Sequence, residues 1–369
     1  MPSSNTSTHE PSPTAQPTSG LDMAALIAAV DSELTDTLVR YSGLMPTSLI
    51  DIGKFALAAP GKVFAFDPAR VQDFDALPRW PLFVLLSCQA ASPPGTPNAW
   101  RQALPAAVAV EIAMAAADIL DELVDDDPSP LVLEYGPGQA LNTGNLMLVM
   151  AQQALVWSAR KRGGPIALAA LDALQDMLVQ AATGQHLDML YDRTGPDEVT
   201  LEMSAEMTSL KAGALISGAC RIGALMAGAE DPVVETIARF GKELGSIAQL
   251  TNDVQDVLPR SVEAAFDRKT DLRKRKRTIP IVFTLRDDVP QPNALQRAYA
   301  AGPDAPIDED ELRQAVMAAG GIQFTGLILE IHRQHALEAL DHLEGLRPGS
   351  RAILAPLLGD EPCDPSSTK

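Results

Sequence analysis

An all-α fold is what this sequence predicts, on three observations. Apolar residues make up 46% of the 369, aromatics only 4%, and alanine and leucine lead the apolar runs. That composition suits close helix packing better than a sheet of β-branched residues. Apolar positions recur at helical spacing along most of the chain, and no segment alternates as a half-buried strand does. Gly, Pro and Asp clusters break the runs into lengths typical of helices.

Residues 1–20, rich in Pro, Ser and Thr, lack the apolar content to order themselves, and 351–369 read as a second tail. One domain is expected over 21–350, because no internal linker is long enough to force a division. Its helices are predicted in order at 21–41, 44–58, 79–92, 99–125, 139–162, 165–191, 199–228, 232–258, 277–287, 308–318 and 322–346. Asp126, Asp127 and Pro128 terminate the fourth of these. No solenoid repeat is present.

A net charge of −19 argues against general affinity for nucleic acid or anionic membranes. A strongly anionic substrate remains compatible if divalent ions bridge it. Cys88, Cys220 and Cys363 are odd in number and follow no metal-ligand spacing, so reduced thiols in a cytoplasmic protein are expected. No uninterrupted apolar stretch has the length of a membrane span, and the N-terminus lacks a signal-peptide layout.

The chemistry is concentrated in two acidic clusters inside apolar helical runs. Asp118, Asp121, Glu122 and Asp125 fall at i, i+3, i+4 and i+7, and Gln249, Asn252, Asp253 and Asp256 repeat that spacing about 130 residues later. Each set lies on one helix face. Burying ionised carboxylates is costly unless cations neutralise them, and oxygen-only faces suit hard ions, Mg2+ before any soft metal.

With these residues the chain resembles the trans-prenyl diphosphate synthases, the polyprenyl synthetase family of the isoprenoid synthase fold. Asp121-Glu122-Leu-Val-Asp125 stands where that family has its first DDxxD, and Asn252-Asp253-Val-Gln-Asp256 stands at its second. Gly184-Gln185-His186-Leu187-Asp188 is similar to its GQxxD, Lys211-Ala212-Gly213 to its KTG, and the run from Lys269 through Asp271 and Lys276 to Pro280 to its KDLxxxKxTxP. The resemblance implies a helical bundle around a central apolar cavity, and a homodimer. It also implies three Mg2+ ions held by Asp121, Glu122, Asp125, Asn252, Asp253 and Asp256, with Asp121, Asp125 and Asp253 essential for turnover. Lys211, Lys269 and Lys276 would hold the diphosphate of an allylic prenyl substrate, and Gln185 and Gln249 would orient it.

Two departures bear on the reaction. Elongating members carry GGKRxRP before the helix near residue 79, where this chain reads Asp75-Ala-Leu-Pro78-Arg79-Trp80-Pro81. An Arg-Arg pair after the first motif is replaced by Leu133-Glu134-Tyr135-Gly136. Both substitutions remove cations that would hold isopentenyl diphosphate. The resulting expectation is ionisation of a C15–C25 substrate, C20 favoured by the small Ala116 and Ala117, followed by cyclisation or elimination to a terpene. The alternatives are a prenyltransferase, using isopentenyl diphosphate or another acceptor, and a non-catalytic prenyl-diphosphate-binding or partner subunit.

Overall fold

The computed structural model describes residues 21–73, 76–125, 129–162, 164–195, 198–258, 270–286, 294–301 and 305–359. The expected N-terminal tail, Lys269 and Cys363 lie outside these residues. Among the described residues there is no strand. The helices are α1 (Met23–Ser42), α2 (Thr47–Leu57), α3 (Arg79–Ala91), α4 (Leu104–Val124), α5 (Pro130–Tyr135), α6 (Pro137–Arg162), α7 (Gly164–Tyr191) and α8 (Leu201–Thr208). They continue with α9 (Ala214–Met226), α10 (Asp231–Val257), α11 (Asp271–Lys274), α12 (Ile279–Leu285), α13 (Ala294–Ala300), α14 (Glu309–Ala319), α15 (Gly321–Leu346) and α16 (Ser350–Leu354).

Local chemistry sets the ends of these helices. Asp22, Ser129, Thr200, Thr270 and Asp308 cap α1, α5, α8, α11 and α14 by accepting from backbone N–H groups of the first turn. Proline occupies the first turn of α4, α5, α10 and α12, where its missing N–H costs nothing.

The core runs along α4, whose residues from Ala106 to Ala116 are all buried. Around it pack α1, α2, α3, α6 and α9, while α10 lies between α9 and α15 and α7 lies against α6 and α9. Two smaller apolar clusters sit under the chain that follows α10. One joins Val257, Leu272, Ile281, Leu295 and Leu312, and the other joins Tyr191, Val199, Met207 and Val282.

Three sequence expectations change. The single helix expected at 199–228 is broken by a π-turn at Ser209–Gly213, which separates α8 from α9. The domain does not stop at 350, because α16 and the 3-10 turn after it bury Leu354 and Leu357 in the main core. By length and composition alone, two helical stretches are apolar enough to cross a membrane. The stretch Ala99–Val124 is 72% buried inside the bundle over its apolar window, whereas α7 is only 28% buried.

Candidate functional site

The two acidic motifs end α4 and α10, and α7 brings a third set of carboxylates between them. Gly184 makes this approach possible. A Cβ there would lie 2.4 Å from the backbone N of Lys211, so only glycine lets α7 touch the π-turn. The π-turn sets the Lys211 backbone against Gly184, and its ammonium reaches one helical turn further along α7, where it meets Asp188 at 2.8 Å and Asp121 at 3.7 Å. π-turns are often found at functional sites, and this one aims a charged side chain.

A second group of cations comes from the segment after α10. Thr270 caps α11, which ends at Arg275 in the left-handed conformation, φ +58°. Arg275 is held there by donating to the carbonyls of Ala298 and Ala305. With that reversal both neighbours face α4. Lys274 Nζ lies 2.9 Å from Asp125 Oδ2, and Lys276 Nζ lies 3.7 Å from Asp125 Oδ1, 2.9 Å from Asp188 and 3.3 Å from Asp192. Arg277 is buried over the Tyr299 ring and donates to the carbonyls of Arg275 and Thr194. The basic run is therefore structural and site-facing from Lys274 to Arg277; among its described residues, Arg273, paired with Glu309, is the mainly solvated one.

The second motif is arranged differently. Asp253 is buried, accepts 2.8 Å from the Gln249 amide through Oδ1, and has an Oδ2 with no hydrogen-bond partner. Asp256 accepts from the backbone N–H of Asp271, while Asn252 is exposed on the neighbouring side of α10. Glu122 is half-buried beside Asp121. Both amide atoms of Gln185 are shut from solvent without a hydrogen-bond partner.

The electrostatics follow from these contacts. Burial opposes ionisation of Asp125 and Asp188, yet the lysines win. Lys274, Lys276 and Lys211 hold Asp125 below the usual carboxylate range, and Lys211 and Lys276 do the same for Asp188. Elsewhere burial prevails. It raises Asp121 against the pull of Lys211, Asp192 to about 6 against Lys276, and Asp253 to about 7 against its hydrogen bond from Gln249. Asp271 also rises to about 7, from burial and the charges of Asp253 and Asp188.

Carboxylates thus outnumber the lysines facing them. A hard divalent ion would offset the excess, since every donor is oxygen and Asp253 Oδ2 is buried without a partner. The residues fit Mg2+ in chemistry. Among the described residues no three acidic, histidine or cysteine side chains already stand as a ready-made ligand set. In this arrangement lysines stand between the acids instead.

Of the sequence-predicted residues, the fold brings together Asp121, Asp125, Lys211, Lys276, Gln249 and Asp253. Four residues absent from the predicted set belong to the cluster: Asp188, Asp192, Asp271 and Lys274. Asp192 carried a signal, lying at i+4 from Asp188 on the same helix face. A fifth residue, Lys62, is buried and pairs with Asp118 at 2.7 Å, one turn before Asp121.

The profile described as polyprenyl synthetase matches residues 79–318. The chain belongs to the polyprenyl synthetase family. It is 27% identical over 285 residues to a nonaprenyl diphosphate synthase of Mycobacterium tuberculosis, covering 74% of this chain and 79% of that one. It is 30% identical over 212 residues to a (2E,6E)-farnesyl diphosphate synthase of Mycobacterium bovis, covering 56% and 55%. In fold it matches a geranylgeranyl pyrophosphate synthase of Corynebacterium glutamicum, solved with isoprenyl diphosphate and magnesium. The TM-score is 0.72 at 20% identity, over 92% of this chain and 100% of that one. The isoprenoid synthase fold and an enzyme of this family are therefore established. The expectation that cyclisation outweighs elongation finds no support here: the relatives are named as chain-elongating synthases, which favours the prenyltransferase alternative.

Proposed function

We propose that this enzyme is a Mg2+-dependent prenyltransferase that ionises an allylic prenyl diphosphate and transfers the prenyl group to a homoallylic diphosphate acceptor. The observation that carries the proposal is the meeting of acids from α4, α7 and α10 with Lys211, Lys274 and Lys276 at one end of the bundle. Asp121, Glu122, Asp125, Asn252, Asp253 and Asp256 would hold the ions, which supply neutralisation of the departing diphosphate. Lys211 and Lys276 offer ammonium donors to its oxygens; Lys269 is assigned the same role from the sequence alone. Gln249 fixes Asp253, and Gln185 offers its amide to substrate or to a carboxylate. Below Asp121, α4 is apolar, with Ala113, Met114 and Ala116 buried, a setting that suits exclusion of water from a carbocation.

An anionic acceptor is supported by Lys62. Residues 76–81 lack the acceptor lysine, but Lys62 follows Gly61 and reaches α4 from further upstream. Its side chain is 5% exposed and its ammonium pairs with the more open Asp118, so a diphosphate can take that carboxylate's place. A second reading, cyclisation or elimination to a terpene, is favoured by exposed Glu134 on α5, where a basic pair would suit an acceptor.

Purified enzyme with Mg2+ and farnesyl or geranylgeranyl diphosphate, with and without isopentenyl diphosphate, decides between them. Longer prenols appearing only with isopentenyl diphosphate support elongation, and Lys62→Gln should then raise KM for that acceptor about tenfold or more. A hydrocarbon from the allylic substrate alone would overturn elongation in favour of the second reading. The exposed Leu141 and Val149 on α6, and Leu168 and Val179 on α7, fit a subunit interface in a homodimer. Sedimentation equilibrium tests it, with a monomer as the refuting result.

A further inference from the structure

Asp125 is the most heavily paired carboxylate of the first motif, and the partner that sets it apart from Asp121 is Lys274. Lys274 and Asp125 lie 149 residues apart in sequence, yet their side chains are only 11% and 14% exposed and they meet at 2.9 Å. The contact depends on Arg275, whose left-handed backbone turns two lysines toward α4 and whose guanidinium is tied to Ala298 and Ala305. A non-glycine residue in that region costs about 1 kcal/mol or more, so the turn is maintained by its surroundings. The Thr270 hydroxyl donates to Glu309, fixing the start of α11 from the other side.

We propose that Lys274 is a built-in counter-ion for Asp125, which a divalent ion must displace, so that this residue sets the ion concentration at which the site loads. The inference rests on the metal reading of the first motif and deepens it. An ammonium bound to a carboxylate oxygen and a divalent ion bound to the same oxygen exclude one another, so each weakens the other by the same factor. Among the described residues Asp253 has no such ion pair: it accepts from the Gln249 amide, and Lys211 acts on it only from further away. Once displaced from Asp125, the Lys274 ammonium can turn toward the anionic substrate, the other source of negative charge in the site.

The test is direct binding to ion-free, full-length protein without substrate, using Mg2+ by calorimetry and Mn2+ by electron paramagnetic resonance. Lys274→Gln should tighten ion binding by about fivefold or more. Lys274→Arg keeps the charge and should bind as the parent does. Arg273→Gln removes an equal charge from the adjacent residue, which is 61% exposed and pairs with Glu309 rather than Asp125, and it should leave binding unchanged. Unchanged or weaker binding by Lys274→Gln, with circular dichroism intact, would overturn the proposal while leaving the metal reading standing. Equal tightening by Arg273→Gln would overturn it too, by showing that net charge alone is at work. Failure of every variant to bind either ion, even with inorganic diphosphate added, would instead remove the metal reading on which the proposal rests.

Discussion

The first and second acidic motifs have the same spacing in the sequence, but the fold sets different partners against them. At the end of α4, Asp125 receives Lys274 and Lys276 and Asp121 receives Lys211, so protein cations already offset much of the charge. At the end of α10, Asp253 receives a neutral amide and Asp256 a backbone N–H. One motif faces lysines and the other an amide and a backbone N–H, which is why burial lifts Asp253 to about 7 while Asp125 is held low. A repeated motif therefore need not be a repeated site. On the proposed Mg2+ reading, the second motif would need an external cation and the first would compete for one.

The largest effect expected is on turnover. Asp121→Ala and Asp253→Ala should each lower kcat by about 10²–10³-fold or more with helicity retained, as loss of a transition-state charge stabiliser does. Near-normal kcat in either, measured by release of diphosphate, would break the assignment of that motif. The comparison sharpens in stability measured without divalent ions. Asp125→Asn removes the anion that Lys274 and Lys276 share and should destabilise by ~2 kcal/mol, whereas Asp253→Asn removes a buried charge held by a neutral amide and should stabilise at pH 8 by a similar amount. Chemical denaturation of both variants tests the opposite signs; the same sign in both would refute the contrast.

Glu111, lower on α4, is a third case. It is fully buried, accepts 2.8 Å from the Val63 N–H, and burial pushes it to about 7 against the pull of Lys62. The folded state keeps a proton that the unfolded chain, with its carboxyl near the usual 4.5, has lost. Stability should therefore fall as pH rises from about 4.5 to about 7, by up to ~3 kcal/mol, and level off above that. Glu111→Gln keeps the acceptor for Val63 and should flatten this slope. An identical slope in wild type and variant, followed by melting temperature across the window, would show that Glu111 contributes none of it.

The long helices were legible because their apolar spacing persists over several turns, and α1, α3, α6, α7, α10 and α15 lie within a few residues of where the pattern puts them. Four short helices were not. At six, four, seven and five residues, α5, α11, α13 and α16 are too brief for a 3.6-residue period to register. The π-turn escaped because its residues have ordinary helix propensity; it is fixed by contact with Gly184, not by local sequence. In the site, Asp121, Asp125 and Asp253 were visible through spacing, and Lys211 and Lys276 through resemblance. Lys274 and Lys62 were hidden, because only the fold brings them to carboxylates 149 and 56 residues away. The basic run offered no sign of which charges would be buried, since that depends on Tyr299 and the carbonyls of Thr194, Ala298 and Ala305.

The π-turn and Gly184 also form a matched pair. A π-turn holds one residue more than a regular helical turn and takes it up locally, so α8 and α9 keep the phase of one continuous helix. Deleting one of Ser209–Gly213 would close the turn into ordinary α-helix and leave the contacts of α8 in place, Met207 with Tyr191 and Val282 and the Ser204 hydroxyl with the Arg277 carbonyl at 2.7 Å. What would go is the widened turn from which Lys211 reaches Asp188. The extra residue thus serves the lysine it carries rather than the helices on either side.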